Sequence, residues 1–153
     1  MRVYLVQHAE AMSKGQNPDR PLTEAGRQAA TAVAAVAAKL HLDVAQIRHS
    51  GKTRAEQTAG ILAKALTPPD GVAAVEGLAP LDDVRPVAIE LAHTTRPLML
   101  VGHLPFMERL ASLMLAGDAE QPVVEFTKAG IVCLSLDDQW RVTWILTPEI
   151  ARV

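Results

Sequence analysis

Cysteine is almost absent: Cys133 is the only one among 153 residues. One cysteine excludes a disulfide framework and a cysteine-based zinc site. Its place in the apolar run Ile131–Leu136, with no electropositive neighbour in sequence, reads as a buried strand thiol rather than a nucleophile. Charge of one sign is also lacking. The net charge of −2 gives no general attraction to nucleic acid or anionic membranes, although a local basic pocket is compatible with it. Long hydrophobic runs are missing as well. No stretch approaches the roughly 20 apolar residues of a membrane span, and Val3–Val6 after a lone Arg2 is too short for a signal-peptide core. A cytoplasmic location is the expectation. Neither a Walker-type Gly-Lys-Ser/Thr loop nor a Gly-x-Gly-x-x-Gly fingerprint occurs. His41, His93 and the other histidines lack metal-binding spacing, so neither metal nor cofactor is expected.

What is present is an alternation of short apolar runs and helical stretches. Strands are expected at Arg2–Val6, Val44–His49, weakly at Val72–Val75, and at Pro97–Val101. Ala11–Pro21 reads as a loop because of Gly15, Asn17-Pro18 and Arg20-Pro21. Thr23 is a plausible cap for a helix to about Leu40, in which Val33, Val36, Ala37 and Leu40 share one face. Further helices are expected over Thr53–Leu66, stopped by Thr67-Pro68-Pro69, over Val84–Ala92, and over Pro105–Leu115. Gly130–Leu136 and Arg141–Leu146 flank Asp137-Asp138-Gln139 and predict a C-terminal hairpin at the sheet edge. The whole pattern predicts a three-layer α/β/α sandwich with a mostly parallel sheet. No repeat or linker divides it, so residues 1–153 are expected to form one domain.

Three polar clusters follow three of these strands: Gln7-His8-Ala9-Glu10, Ser50-Gly51-Lys52-Thr53-Arg54, and Gly102-His103. In an open parallel sheet the carboxyl ends of the strands share one edge, where ligands bind. His8, expected to have a rigid backbone and a solvent-facing ring, has the nucleophilicity of an imidazole whose ordinary pKa is about 6.5. Attack on phosphorus would form a phosphohistidine that water later cleaves. Arg54 near a helix start offers a guanidinium fork beside helix amides. His103, after a glycine that allows close approach, can donate to phosphoryl oxygens as charge builds. Lys52 reads as a solvated lysine, and His49 as a strand end or a backbone cap. Asp82-Asp83 and Asp137-Asp138 read as turn or cap residues.

In this order the clusters resemble the histidine phosphatase superfamily, also called phosphoglycerate-mutase-like, and within it the small bacterial phosphohistidine phosphatases. The matching stretches are Val3–Ala11, Arg20–Gly26, Ser50 with Thr53–Thr58, and Val101–Pro105. The resemblance implies that His8 accepts the phosphoryl group and that Arg54 and His103 bind its oxygens. Gln7 and Arg20 join them as phosphate-binding candidates. It further implies a metal-independent phosphatase acting on a phosphohistidine-bearing signalling protein, with phosphate or another oxyanion as ligand. Two departures stand out. The family's Arg-His-Gly or Arg-His-Ala signature has Gln7 at its arginine. A neutral amide in place of a charged fork costs about tenfold in rate, from the difference between neutral and charged hydrogen bonds. Leu104 stands where related esterases often carry an acid, leaving Glu10 or Glu76 as candidate proton donors. Alternatives are a small-molecule phosphomonoesterase and a catalytically weak phosphate-binding module; a mutase fits least.

Overall fold

The computed structural model describes residues 1–153. In chain order its elements are β1 (Arg2–Gln7), α1 (Glu24–Lys39), β2 (Gln46–His49), α2 (Thr53–Leu66), β3 (Val72–Ala74), α3 (Arg85–His93), β4 (Leu98–Gly102), α4 (Phe106–Ala116), β5 (Ile131–Leu136), β6 (Trp140–Leu146) and α5 (Pro148–Ala151). The strands form one six-stranded sheet in the order β3-β2-β4-β1-β5-β6. β1 runs parallel to β4, and β2 parallel to β4 and β3. β5 runs antiparallel to β1, and β6 closes the edge as a hairpin with β5. The three-layer sandwich with a mostly parallel sheet is therefore the observed architecture.

The strand sequences explain the layers. Successive side chains of a strand point to opposite faces, and here both faces are apolar because both are covered. Val3, Leu5, Leu98, Leu100, Val132 and Leu134 join the core that holds Phe106, Met107 and Leu110 of α4 and Leu91 of α3. Their alternates Tyr4, Val6, Met99, Val101, Ile131 and Cys133 join the core beneath α1 and α2. α1 buries mainly small residues, namely Gly26, Ala30, Val33, Ala34 and Ala37. Ala55 and Ala59 of α2 share that core, so the two helices pack closely.

Helix α1 begins as its sequence suggests: the Gly26 N–H donates to Thr23 Oγ1 at 3.0 Å. A Cβ on Gly26 would lie 2.2 Å from the Glu10 carbonyl oxygen, so only glycine lets the helix start touch the chain leaving β1. Element ends differ from the sequence reading by one or two residues, as at β2, β4 and β6, and three differences bear on the site or add an element. β1 extends to Gln7, because Gln7 still pairs with Gly102. α4 starts at Phe106, with Pro105 outside it as the cap residue. A short C-terminal helix, α5, goes beyond the expected elements; Thr147 Oγ1 accepts from the Ile150 N–H at 3.3 Å. Four residues are too few to show a helical period. No helix is long and apolar enough to cross a membrane.

Candidate active site

β1 and β4 are the two innermost parallel strands, and their carboxyl ends carry His8 and His103. The His8 N–H donates to the Gly102 carbonyl at 2.9 Å, extending the ladder by one bond beyond the strand. The two imidazoles lie side by side with ring centroids 5.0 Å apart. β2, on the other side of β4, delivers Ser50 and then α2 with Arg54 to the same edge. The structure thus brings His8, Arg54 and His103 together.

The expectation of a solvent-facing His8 is corrected, since the residue is only 8% exposed. The chain turns inward after β1 because the Ala9 N–H donates to Thr58 Oγ1 at 3.0 Å, and the Thr58 hydroxyl donates to the Arg54 carbonyl at 2.8 Å. Thr58 is fully buried in α2 and ties both candidate residues to one point. His8 Nδ1 lies 2.7 Å from the Ala9 carbonyl. A carbonyl can only accept, so Nδ1 carries the proton and the lone pair sits on Nε2. That lone pair receives the Arg54 Nε–H at 3.3 Å. A nucleophile and a guanidinium therefore face the same space.

Charge around this space is positive despite the negative net charge of the chain. His8 is pushed down to about 4, mainly by burial, with Arg54, Arg20 and Lys128 adding to the effect and the bond to Ala9 opposing it. His103 is pushed down to about 3 by burial, then by the charges of His8, Arg54, Lys52 and Arg20. Burial and Arg20 together hold the Arg54 guanidinium below its ordinary value. Both histidines are neutral at pH 7, while the cations beside them have no carboxylate among the molecule's four ion pairs. Such a cluster favours an anion. No side chain caps α2; the Ala55 and Glu56 N–H groups both donate to the Lys52 carbonyl, which leaves the amides of Thr53 and Arg54 as the available helix-start donors.

Arg20 reaches the cluster from the loop before α1, which is closed by bonds from the Met12 N–H to the Pro21 carbonyl and from the Thr23 N–H to the Glu10 carbonyl. Gln57 of α2 pins the same loop by accepting from the Leu22 N–H at 2.8 Å. Arg20 itself adopts a left-handed backbone, φ 49°, and its Nε donates to the Met12 carbonyl at 3.0 Å. Gln7 ends β1 with its side chain buried, 8% exposed. Its carbonyl accepts from the Ala129 N–H at 2.9 Å.

Other candidates are placed elsewhere. The Glu10 carboxylate accepts the Thr23 hydroxyl at 2.7 Å on the exposed start of α1. Glu76 is an exposed residue of the turn after β3 and lines a small cavity with Arg48 and Glu90. Neither hydrogen-bonds to the histidine pair. His49 ends β2 in a buried position, and its Nδ1 accepts from the Gly51 N–H at 3.0 Å, which is the backbone-capping reading.

Sequence reasoning assigned no role to Ser50 or Lys128. Ser50 Oγ lies 2.6 Å from His103 Nε2 and accepts from the Lys52 N–H at 3.3 Å. His103 is 1% exposed, and its Nδ1 has no partner. A bare lone pair is cheaper to bury than an unpaired N–H, so Nε2 carries the proton and donates to Ser50. The signal for Ser50 was its position just past β2, but only the β2–β4 register, His49 opposite Val101, sets it beside His103. Lys128 precedes β5. An antiparallel strand next to β1 starts at the edge where β1 ends, so a residue before such a strand reaches the site without following an apolar run.

Residues 3–82 match the sequence profile of the histidine phosphatase superfamily (branch 1), and the chain belongs to that family. Its fold is the phosphoglycerate-mutase-like one. It is similar to the protein histidine phosphatase SixA, solved with tungstate: 26% identity, TM-score 0.85 and 97% of each chain covered. It is also similar to the SixA protein of Agrobacterium tumefaciens, at 27% identity and a TM-score of 0.77, over 96% of this chain and 97% of that one. A mycobacterial glucosyl-3-phosphoglycerate phosphatase in complex with VO3 shares the fold, at 19% identity and a TM-score of 0.73 over 94% of this chain and 97% of that one. No curated protein matches the chain at a significant level. Family and neighbours together support a phosphatase.

Proposed function

We propose that this chain is a metal-independent phosphatase that removes phosphate from phosphohistidine on a partner protein of a phosphotransfer system. One observation carries the reading: His8 Nε2, kept unprotonated by the Nδ1–H bond to Ala9, turns its lone pair to the Arg54 guanidinium with His103 beside it. In the first step Nε2 forms a bond to phosphorus as the substrate's P–N bond breaks, and the released imidazole takes a proton from water. In the second step water attacks phosphorus, the bond to Nε2 breaks, and inorganic phosphate leaves with the proton passing to solvent. Arg54 and Arg20 hold the phosphoryl oxygens, His103 turning its Nε2–H from Ser50 Oγ to them, with Gln7 adding an amide donor. Cations and fixed dipoles aimed at developing charge can do the electrostatic work that a metal does elsewhere.

The substrate class follows from the leaving group. An alkoxide needs an acid close by; Leu104 follows His103, and Glu10 is bound to Thr23. Imidazole, with an ordinary pKa of about 6.5, leaves readily once protonated by solvent. The likeness to SixA phosphatases supports the same choice. The test compares kcat/KM for a phosphohistidine protein and for sugar phosphates on one preparation, with and without EDTA, in wild type and His8→Ala. Preference for the phosphohistidine protein, insensitivity to EDTA and loss of turnover in His8→Ala are expected. A preference for alkyl phosphates would establish the small-molecule alternative. Phosphate binding without turnover of any substrate would establish the binding module that Gln7 suggests.

A further inference from the structure

A groove of about 370 Å³ runs along α4 and the segment before β5, lined by Leu104, Glu108, Val123, Val124, Glu125 and Phe126 among others. That volume lies within the range of about 300–1,000 Å³ typical of ligand sites. Both walls adjoin the candidate active site along the chain. Leu104 follows His103 in the chain, and Phe126 stands two residues before Lys128, whose charge is felt at His8. The groove therefore lies beside the phosphate site, its lining starting one residue after His103 and ending two residues before Lys128.

Its chemistry is opposite in sign to the pocket. Leu104 and Phe126 are half-buried and Val123 is 46% exposed, so the walls offer apolar contact. Glu108 and Glu125 have no cationic partner; the nearby Arg109 is held by Glu120 at 3.0 Å. The four cations that surround His8 and His103 thus give way, within a few residues, to two unneutralised carboxylates on an apolar surface. A ligand complementary to the whole surface is an anion with an apolar and cationic flank. A small phosphate ester has no such flank, whereas a peptide segment does.

We propose that this groove binds the segment flanking the phosphohistidine of the partner protein, and that it selects a segment carrying an apolar side chain next to a lysine or arginine. The proposal rests on the phosphatase reading above. The groove acts on substrate choice and not on the bond being broken, so its signature is a ratio between substrates.

The experiment uses the full chain and two phosphohistidine peptides of one sequence, differing in a single flanking residue, lysine or glutamate, together with free phosphohistidine. Wild type is expected to favour the lysine peptide in kcat/KM by about three- to tenfold at low salt, the scale of one or two exposed charge pairs, and less at high salt. The double variant Glu108→Gln, Glu125→Gln is expected to bring the ratio close to one. The variant's circular dichroism and melting temperature show whether it is folded; if it is not, Glu125→Gln alone, at an exposed position, must reduce the ratio. Equal rates for the two peptides in wild type, or a preference that survives the substitutions, overturn the groove assignment while leaving the phosphatase reading intact. Failure of wild type to hydrolyse free phosphohistidine and both peptides overturns the phosphatase reading, and this proposal with it.

Discussion

Thr58→Val swaps a hydroxyl for a methyl of nearly the same shape, at a site with no solvent exposure. Two bonds are lost: the one from the Ala9 N–H at 3.0 Å and the one to the Arg54 carbonyl at 2.8 Å. The carbonyl retains its other lone pair, but the Ala9 N–H is left without a partner. An unpaired buried donor costs about 1–3 kcal/mol. At about 2–4 °C per kcal/mol for a chain of this size, the melting temperature should fall by about 2–12 °C. Activity should fall further than stability explains, because the lost bond is the one that turns the His8 segment inward. Thr58→Ser is the control: it removes a methyl, costing about 1 kcal/mol, yet keeps both hydrogen bonds. Thermal melting by circular dichroism and kcat on one substrate, measured well below the melting temperature of every variant, separate the two effects. A valine variant with wild-type melting and wild-type kcat would refute the claim that Thr58 holds the nucleophile in place.

Two further predictions follow from the electrostatics. With His8 pushed down to about 4, the acid limb of kcat/KM for the free enzyme should lie near pH 4 and not near pH 6.5; a limb at 6.5 would show an exposed imidazole. Because His8 and His103 both titrate lower when folded, the unfolded chain binds more protons as pH falls below about 6.5. Their part of the stability is present above that value and is lost toward pH 4, so the urea midpoint should be lower at pH 5 than at pH 7.5. Gln7→Arg is expected to tighten phosphate binding or raise turnover, since it adds a charge and a second donor at the end of β1. A folded variant whose affinity and rate are unchanged or lower would mean that the pocket is shaped around the amide.

Local signals located most elements, while long-range pairing lay beyond them. Val3–Val6 and Leu98–Val101 are continuous apolar runs, which is what a strand covered on both faces requires, and they became the two innermost parallel strands. Val72–Ala74 was a weak signal for a physical reason: it lies at the sheet edge, and two of its three residues are exposed. No local pattern encodes the order β3-β2-β4-β1-β5-β6, because each neighbour pair is far apart in sequence except β2–β3 and β5–β6. The same limit governs the site. His8, Arg54 and His103 were visible as polar residues after apolar runs, but the burial of His8 depends on Thr58, 49 positions along the chain from the Ala9 amide it accepts from. The contact between Ser50 and His103 depends on register, which is a tertiary fact.

The pairing of Gln7 with Gly102 in the β1–β4 ladder has a consequence for what can vary in this molecule. His8 and His103 each follow one member of that pair, and their 5.0 Å ring separation is close to the roughly 4.8 Å at which any two neighbouring strands lie. Their spacing is a lattice constant of the sheet. Loops away from Thr58 and Ser50, which fix the two rings in place, can lengthen, shorten or change sequence without altering it. Parting the two central strands would do so, and these are the last to open in a protein of this construction. Reactivity and global folding should therefore be lost together on heating, while selectivity, carried by the rim, is free to drift from one descendant of the chain to the next.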